Sequence, residues 1–427
     1  MIQNKIDINQ MRNMKNKKIL LLRANFKIQR RNVCPPFGLD FFSFCLKKQD
    51  IENDICDMMI DDVDAFMYQK RYDIVIIECF SFDMVKVLNL INRIKQDNDG
   101  MKIFSTGNFN PELEEIDHIF SFDEISLFKK LEVESDSEDM FGIWRLNKSL
   151  EKKYTILYPV KIYEEVDWRI VITGIGCTNR CYFCSGNIRN APRERFRARE
   201  IDTVIEELKE LKKQGVDHIT FNDDNLFKDK KYSERLFQNI IDENIGIKWN
   251  GHARADQICD ERFVRLLKKS GCVLLRIGME TADEKLLKRI NKGEDYLKKL
   301  KKATRLLKQN NIDYLLLIIL GLPDDKIKNI FKTMAFVMKV NPFLIQLHNF
   351  VPYEDSEFGK EFGVDNDSYH YQASERSYAK YSAKTQNLLF VLFYFLFIVL
   401  KLFTLDVFRY IRFFYHNPKK LKHILRP

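Results

Sequence analysis

The chain has 427 residues, enough for two or three domains with cores of their own. Hydrophobic residues make up 45% and charged residues 31%, a balance that excludes a mainly disordered chain. The net charge of +9 is spread among 61 acidic residues, so no nucleic-acid partner is expected. The polar N-terminus, residues 1–18, lacks the apolar core of a signal peptide and predicts a cytoplasmic protein, in which cysteines are thiols or metal ligands.

Residues 1–135 alternate short apolar runs with helical patterns. The runs lie at 18–26, 72–79, 101–105 and 118–122. Strands that alternate with helices predict an α/β fold, with a parallel sheet covered on both faces. We therefore expect a doubly wound, Rossmann-like domain here. The acidic, polar stretch that begins near residue 132 predicts a linker, placed at 136–159.

Residues 160–365 show a second and more regular alternation. The predicted strands are 169–173, 218–222, 247–251, 273–278, 314–320 and 343–348, with helical patterns between them. Six strand–helix units are too few for a closed eight-stranded barrel. The sequence therefore predicts a partial (β/α)6 barrel of the TIM type.

The last part of the chain, residues 366–427, predicts a helical tail. Residues 388–400 are thirteen apolar residues in a row, and residues 407–427 contain six Lys or Arg and no acid. A membrane span needs ~20 apolar residues. A packed helix, a membrane-surface anchor and a span therefore all stay open, and 388–427 is a candidate for peripheral membrane contact.

Three cysteines form a cluster that points to chemistry. Cys177, Cys181 and Cys184 have the spacing CxxxCxxC and follow the first predicted strand of the second alternation. Three thiolates can bind three irons of a [4Fe-4S] cluster and leave the fourth iron open to another ligand. A structural zinc site needs four ligands in paired spacing, and no suitably spaced His or Cys follows. The spacing therefore favours an iron–sulfur centre.

The cysteine loop, with Gly174 and Gly176 before it and Phe183 beside the third cysteine, resembles the signature of the radical S-adenosylmethionine (SAM) superfamily. Five later segments resemble, in order, strands of its members that carry an N-terminal cobalamin-binding domain: HITFNDDNLF (218–227), WNGHARAD (249–256), GCVLLRIGMET (271–281), LIILGLPDD (317–325) and FVPYEDSEF (350–358). The resemblance implies an enzyme that holds a [4Fe-4S] cluster on the three cysteines. It also implies SAM on the open iron, cleaved reductively to a 5'-deoxyadenosyl radical.

The resemblance also implies cofactor-binding residues. Phe183 would lie beside the cluster, and Asp223, Asp224 and Asn225 would lie around the methionine part of SAM. Since Asp and Asn are also favoured at helix N-caps, that structural role stays open for the last three.

Three further residues are implied at later strand ends. Arg254 would meet the SAM carboxylate, Glu280 the ribose hydroxyls or the amino group, and Gly321 would let the backbone approach adenine. An internal ion pair is the alternative for Arg254 and Glu280, and a simple turn for Gly321. His252 and His348 are strand-end candidates for proton transfer.

The N-terminal domain resembles the cobalamin-binding domain of the same family in outline. The matching segments are CPPFGL (34–39), YDIVIIECF (72–80), IFSTGNFNPE (103–112) and DHIFSFDE (117–124). The sequence departs from the family because it has no DxHxxG motif, and Thr106-Gly107 replaces a double glycine. Cobalamin is therefore a third candidate cofactor, and a domain that only packs is the alternative.

The sequence thus predicts a radical SAM enzyme that abstracts hydrogen from a small-molecule or lipid-like substrate, or methylates it with cobalamin. A flavodoxin or ferredoxin is the expected electron donor. Two alternatives stay open: an iron–sulfur electron-transfer protein that does not cleave SAM, and a zinc-stabilised, membrane-associated scaffold.

Overall fold

The chain divides into two compact units, mainly residues 1–159 and 160–427, seen here in a computed structural model. The structure describes residues 17–24, 51–58, 61–79, 84–98, 100–107, 118–120, 168–177, 179–184, 197–353, 356–363 and 377–402, with Leu39, Ser43 and Leu46. The predicted linker 136–159, the segment around Cys34 and the basic residues from 403 on lie outside the described residues.

The first unit contains a five-stranded parallel sheet of order β2-β1-β3-β4-β5. Its strands are β1 (Ile19–Arg23), β2 (Asn53–Asp57), β3 (Ile74–Cys79), β4 (Lys102–Gly107) and β5 (His118–Phe120). The described helices are α1 (Val63–Gln69) and α2 (Met84–Asp97). The predicted α/β class with parallel strands is confirmed.

Strand β2 was not predicted. Its sequence, NDICD, has only two apolar residues, Ile55 and Cys56, and therefore gives no apolar run. Because β2 pairs only with β1 among the described strands and lies at the edge of their sheet, its backbone pairing needs little apolar sequence.

The second unit contains a six-stranded parallel sheet of order β13-β12-β11-β10-β9-β6. The strands are β6 (Trp168–Val171), β9 (His218–Phe221), β10 (Lys248–Ala253), β11 (Cys272–Glu280), β12 (Asp313–Leu320) and β13 (Leu344–Asn349). The helices are α3 (Ile201–Lys213), α4 (Lys230–Asp242), α5 (Glu261–Lys269), α6 (Glu284–Arg289), α7 (Tyr296–Gln309), α8 (Ile327–Val340), α9 (Glu357–Phe362) and α10 (Ala383–Leu402). Each strand therefore ends at one common edge, which we call the carboxyl edge.

A core of aromatic and aliphatic side chains lies between this sheet and its helices. The Trp249 ring on β10 stacks on Phe237 of α4 at 4.6 Å between centroids and meets Phe221 of β9 edge-on. Because side chains alternate along a strand, Asn250 and His252 point to the opposite face. That face is polar in this region: the Asn250 amide donates to the Thr220 hydroxyl at 2.8 Å.

A two-stranded antiparallel hairpin, β7 (Gly174–Ile175) with β8 (Arg197–Ala198), follows β6. Arg199, buried directly after β8, pairs with Glu207 of α3, and its guanidinium donates to the Ile172 carbonyl at 3.0 Å. The buried arginine thus ties the start of α3 to the end of β6, the segment from which the cysteine loop departs.

Helix α10 packs along the sheet, as the packed-helix alternative for the tail requires. Leu389, Phe393 and Phe397 on one side of it are buried in the core of the second unit. The Leu347 N–H of β13 donates to the Tyr394 hydroxyl at 3.1 Å. Among the described helices only this one, over Ala383–Lys401, is long and apolar enough to cross a membrane by length and composition.

Candidate functional site

The cysteine loop is anchored to the carboxyl edge at Thr173, which follows β6. The backbone N–H and the hydroxyl of Thr173 both donate to Asp223 Oδ1, at 3.0 and 2.7 Å. Its carbonyl accepts from the Arg199 N–H at 2.8 Å and from the Tyr232 hydroxyl at 3.2 Å. The start of the loop is therefore fixed by residues of three different elements.

The loop is fixed a second time at its middle. The Asn291 side-chain amide donates to the Arg180 carbonyl at 2.7 Å, and the Tyr182 N–H donates to the Ile290 carbonyl at 3.2 Å. The Tyr182 ring meets Phe358 edge-on at 6.1 Å. Phe183 is half-buried and packs against the core. The loop conformation is therefore imposed by the rest of the unit.

The three thiols have different surroundings. Cys177 and Cys181 are half-buried and Cys184 is exposed. Cys177 Sγ accepts from the side-chain amides of Asn179 at 3.3 Å and Asn225 at 3.8 Å. Hydrogen bonds to the cysteine sulfurs are among the contacts that tune an iron–sulfur cluster.

Two cations act on Cys181. An Arg254 guanidinium N–H donates to Cys181 Sγ at 3.5 Å. Burial raises the pKa of the Cys181 thiol, while the charges of Lys292 and Arg254 oppose that rise. A positive environment of this kind suits a thiolate ligand and the net negative charge of a cluster bound by three thiolates.

Among the described residues, no three His, Cys, Asp or Glu side chains lie close enough to hold one metal ion. This arrangement does not fit the single-ion zinc alternative. A [4Fe-4S] cluster makes a different demand, because each cysteine binds its own iron and the sulfurs need not converge on one point. The loop, the directed amides and the two cations fit that cluster.

The three acidic and amide residues after β9 have separate positions. Asp223 is buried, with Oδ1 bound to Thr173 and with Oδ2 lacking a hydrogen-bond partner. Asn225 is buried between the loop and the sheet, and Asp224 is exposed. The helix N-cap alternative is wrong, because Asp229 caps α4 by accepting from the Tyr232 N–H, and residues 224–227 form turns instead.

Asp223 predicts a pH dependence of stability. Burial raises its pKa to about 7 in the folded chain, from 3.8 in the ordinary case, although the donors of Thr173 and Gly174 oppose the rise. Between these values the folded state binds one more proton than the unfolded state, so the free energy of unfolding falls as the pH rises from about 4 to about 7. At 1.36 kcal/mol per pKa unit, Asp223 lowers the free energy of unfolding over this pH range by at most about 4 kcal/mol.

Urea unfolding of the wild-type chain and Asp223→Asn across this pH range measures the effect. The variant lacks the carboxyl and is expected to lose this part of the slope. The difference between the two proteins also removes the contribution of Glu78, whose pKa burial likewise raises to about 7. Equal slopes in both proteins would contradict the assignment.

Arg254, which follows β10, is placed between the cysteine loop and the sheet. Its guanidinium makes two hydrogen bonds of 3.1 Å to the Asp256 carboxylate and one of 2.9 Å to the Lys292 carbonyl. It also lies over the Tyr296 ring at 5.5 Å. The internal ion pair is therefore present, and the contact with Cys181 exists beside it.

Glu280, the last residue of β11, forms the internal ion pair that was its alternative role, with Lys292, a partner that the sequence did not identify. Its Oε1 lies 2.8 Å from Lys292 Nζ, and the two side chains are only 7% and 4% exposed. Burial lowers the pKa of Lys292, but Glu280, Tyr296 and Cys181 outweigh it, so the net direction is upward. The pair requires Gly278, since a Cβ there would lie 2.5 Å from Glu280 Oε1.

Gly321, directly after β12, adopts a φ of +84°, which suits glycine. A Cβ at this position would lie 2.2 Å from Oε1 of Gln386, which α10 contributes and which is buried. The Gly321 N–H donates to the Tyr381 hydroxyl at 3.1 Å, and Tyr381 in turn donates to Asp325. The turn is thus occupied on this side by the C-terminal segment, a contact that the local sequence around Gly321 does not show.

Gly321→Ala is expected to lower the free energy of unfolding by about 2–4 kcal/mol, because it adds a strained φ to an overpacked contact. Gly215 is the matched control, since it has a φ of +83° and a Cβ there would have no atom within 4 Å. Gly215→Ala should cost only about 1 kcal/mol. Gln386→Ala combined with Gly321→Ala should recover the steric part, and a cost for Gly321→Ala no larger than the control would refute the contact.

The two candidate histidines differ in exposure, because His252 is half-buried and His348 is exposed. Burial, with the nearby charge of Arg276, lowers the pKa of His252 to about 4. Desolvation by neighbouring groups lowers the pKa of His348 as well. Both are therefore neutral at neutral pH. His252 lies near the end of β10 and His348 near the end of β13. A role of either histidine in proton transfer stays a prediction.

The comparisons with known proteins concern this same region. Residues 171–337 match the model of the radical SAM superfamily. An uncharacterized methyltransferase of Pyrococcus horikoshii is 27% identical over 213 residues, covering 49% of this chain and 45% of that protein. The bacteriochlorophyllide d C-12(1)-methyltransferase of Chlorobaculum tepidum is 29% identical over 198 residues, 45% of this chain and 40% of that protein. The chain thus spans less than half the length of these two relatives.

Solved structures share the fold over more of the chain. The radical SAM methyltransferase TsrM of Kitasatospora setae, solved with cobalamin and a [4Fe-4S] cluster, has a TM-score of 0.62 at 14% identity and covers 81% of this chain and 77% of its own. The cobalamin-dependent radical SAM enzyme OxsB has a TM-score of 0.56 at 17% identity, covering 87% of this chain and 59% of its own. At these identities the likeness concerns the fold.

Proposed function

We propose that the chain is a radical SAM enzyme, as the match of residues 171–337 to that superfamily supports. We further propose that it transfers a methyl group from SAM to a carbon atom of its substrate, with cobalamin as a further cofactor. The observation that carries the proposal is the fixed cysteine loop at the carboxyl edge, with amides and cations directed at its sulfurs. The methyltransferase names of two sequence relatives favour methylation over hydrogen abstraction alone. The same comparisons favour an enzyme over the electron carrier and the zinc scaffold.

Cys177, Cys181 and Cys184 are the proposed cluster ligands. When bound, the cluster and SAM supply the electron and the activated carbon–sulfur bond of the reaction. Thr173 and Asn291 would hold the cysteine loop in position. Arg254 and Lys292 would balance the negative charge of the thiolates.

Residues at three strand ends are the proposed SAM contacts. Asp223 Oδ2 and Asn225 Oδ1 are buried atoms without hydrogen-bond partners, and buried polar atoms of this kind are suited to a polar ligand. Arg254 and Glu280 lie at the ends of β10 and β11, where each already holds one internal partner. We propose that SAM adds contacts to Arg254 and Glu280 while Asp256 and Lys292 keep them oriented.

The first unit offers a place that suits cobalamin. In a doubly wound sheet, ligands bind beyond the strand ends where the strand order reverses, which here is at β1 and β3. Three charged residues lie at these strand ends: Arg23 ends β1, Asp57 ends β2, and Glu78 is next to the last residue of β3. The Arg23 guanidinium lies 3.3 Å from the Asp57 carboxylate and 3.7 Å from the Glu78 carboxylate. Glu78 Oε2 is buried and makes no hydrogen bond. An acceptor in that position fits a ligand rich in amide donors, such as cobalamin.

The substrate is proposed to meet the polar face of the six-stranded sheet. His252 of β10 and Arg276 of β11 are register partners on it, and Glu280 acts on His348 of β13 through its charge. These side chains supply hydrogen-bond donors on the face that points away from the helices.

The proposal is tested with the chain reconstituted anaerobically with iron, sulfide and hydroxocobalamin. We expect retention of cobalamin through gel filtration and reductant-dependent formation of both S-adenosylhomocysteine and 5'-deoxyadenosine from SAM. Formation of 5'-deoxyadenosine alone, with no cobalamin retained, would overturn methyl transfer and leave hydrogen abstraction. Glu78→Gln is the matched variant, and it should weaken cobalamin retention without affecting iron content.

A further inference from the structure

Three neighbouring helices of the second unit, α7, α8 and α10, have an unusual charge pattern. Together they contain eleven Lys or Arg and no Asp or Glu. Helix α3 of the same unit, by contrast, contains four acidic residues in 13. The three helices are adjacent, since Lys301 of α7 lies 5.5 Å from the Phe336 ring of α8, and α8 contacts α10.

The same helices expose most of the large apolar side chains that are exposed in the described part of the chain. Six are exposed there, of which five are on α8 and α10, and the sixth is Tyr68. The five are Ile327, Phe331 and Met338 on α8, and Leu388 and Phe395 on α10, with exposures from 40% to 69%. Their spacing of four and seven residues places each set on one side of its helix.

Exposed cations are found on α7 and on α8 itself. Lys298, Lys302 and Arg305 are exposed on α7, and Lys328 and Lys339 lie near the two ends of α8. Lys332 is partly neutralised, because it pairs with Asp283 at 3.1 Å. The sequence beyond α10 keeps the same sign, since residues 407–427 have six Lys or Arg and no acid. We call the outer surface of α7, α8 and α10 the basic–apolar face.

We propose that the basic–apolar face binds the surface of an anionic lipid bilayer. Cations next to exposed aliphatic and aromatic side chains are the pattern of surfaces that lie in the lipid headgroup region. A nucleic acid would pair with the cations but gain nothing from burying Phe331, Leu388 or Phe395. Helix α10 lies on the membrane and does not cross it, because its other side is held by Leu347 and by Asn341, which accepts from Lys401.

The position of this face relates it to the candidate site. Helix α8 begins soon after the Gly321 turn, and Gln386 near the start of α10 packs against Gly321. Both helices therefore begin at the carboxyl edge. If the proposed function holds, a membrane-bound chain has its site next to the lipid and accepts a lipophilic substrate, but membrane binding itself does not depend on that function.

Vesicle flotation with the full chain tests the proposal. The wild-type chain is expected to float with vesicles that contain phosphatidylglycerol, to bind pure phosphatidylcholine vesicles weakly, and to dissociate as salt is raised. Lys298→Gln combined with Lys302→Gln should weaken binding roughly fivefold for each lost cation. Lys213→Gln combined with Lys231→Gln, on α3 and α4, removes the same charge from exposed positions elsewhere and should leave binding unchanged.

A second variant tests the apolar strip. Phe331→Gln, Leu388→Gln and Phe395→Gln together change only exposed side chains and should abolish flotation while far-UV circular dichroism is unchanged. Binding that survives both helix variants but is lost on truncation after residue 402 would overturn the proposal in favour of the basic tail. Two other results would overturn it: a dimer in solution that the apolar variant dissociates, without vesicle binding, or binding of tRNA that the lysine variant weakens, without vesicle binding.

Discussion

Cys181→Ala is expected to abolish cluster assembly while the chain still folds. After anaerobic reconstitution the wild-type chain should hold about four irons and four sulfides, and the variant only a small fraction of that. Cys181 is the proposed ligand on which both cations act, because Arg254 donates to its sulfur and Lys292 acts on it through its charge. Loss of the thiol therefore removes both a ligand and the group that these cations balance.

Cys259→Ala is the matched control for this prediction. Cys259 is also half-buried, and its thiol donates to the carbonyls of Ala255 at 3.1 Å and Lys299 at 3.3 Å, outside the cysteine loop. Its loss should cost about 1 kcal/mol of stability and leave the iron content unchanged. Full iron content and SAM cleavage in the Cys181 variant would show that this cysteine is not a ligand.

Lys292→Met is expected to lower the free energy of unfolding of the metal-free chain by about 3–5 kcal/mol, since it leaves the buried Glu280 carboxylate without its cation. Glu280→Gln leaves Lys292 buried in the same way and should cost a similar amount. The double variant should cost clearly less than the two single costs added, because neither charge then remains unpaired. Urea unfolding of the four proteins gives this double-mutant cycle.

Lys230→Met is the control for the ion pair. Lys230 pairs with Asp260 at 2.7 Å, but the two side chains are 51% and 42% exposed, so the loss should stay below about 1 kcal/mol. SAM binding is measured on the same proteins. If Glu280→Gln weakens SAM binding without lowering stability, the ion pair is not the main role of Glu280, and the buried-pair account is wrong.

The strands and helices of the second unit could be predicted because their sequences carry the pattern locally. Strand β12 is apolar from Tyr314 to Leu320, the bounds predicted for it, and the predicted strand 273–278 lies within β11. Strand β2 could not be predicted, since its polar sequence depends on pairing with β1 for its conformation. Local sequence thus predicts elements whose burial is continuous along the chain.

The sequence identifies the candidate ligands of the site but does not identify the residues that hold them in place. The three cysteines lie within eight residues, so their spacing can be recognised in the sequence without any knowledge of distant contacts. By contrast, Lys292 contacts Glu280 from 12 residues further along the sequence, and Gln386 contacts Gly321 from 65 residues further along. Lys and Arg account for 70 of the 427 residues, so nothing in the local sequence distinguishes the buried Lys292 from exposed neighbours such as Lys285 and Lys288.

The most direct test is electron paramagnetic resonance of the reconstituted, reduced chain with and without SAM. We predict the signal of a reduced [4Fe-4S] cluster whose shape changes when SAM is added, because the three cysteines leave one iron open. In Asn225→Ala the change should be weaker, since Asn225 donates to Cys177 and carries a buried oxygen without a partner. An intact cluster whose signal is indifferent to SAM would contradict the account.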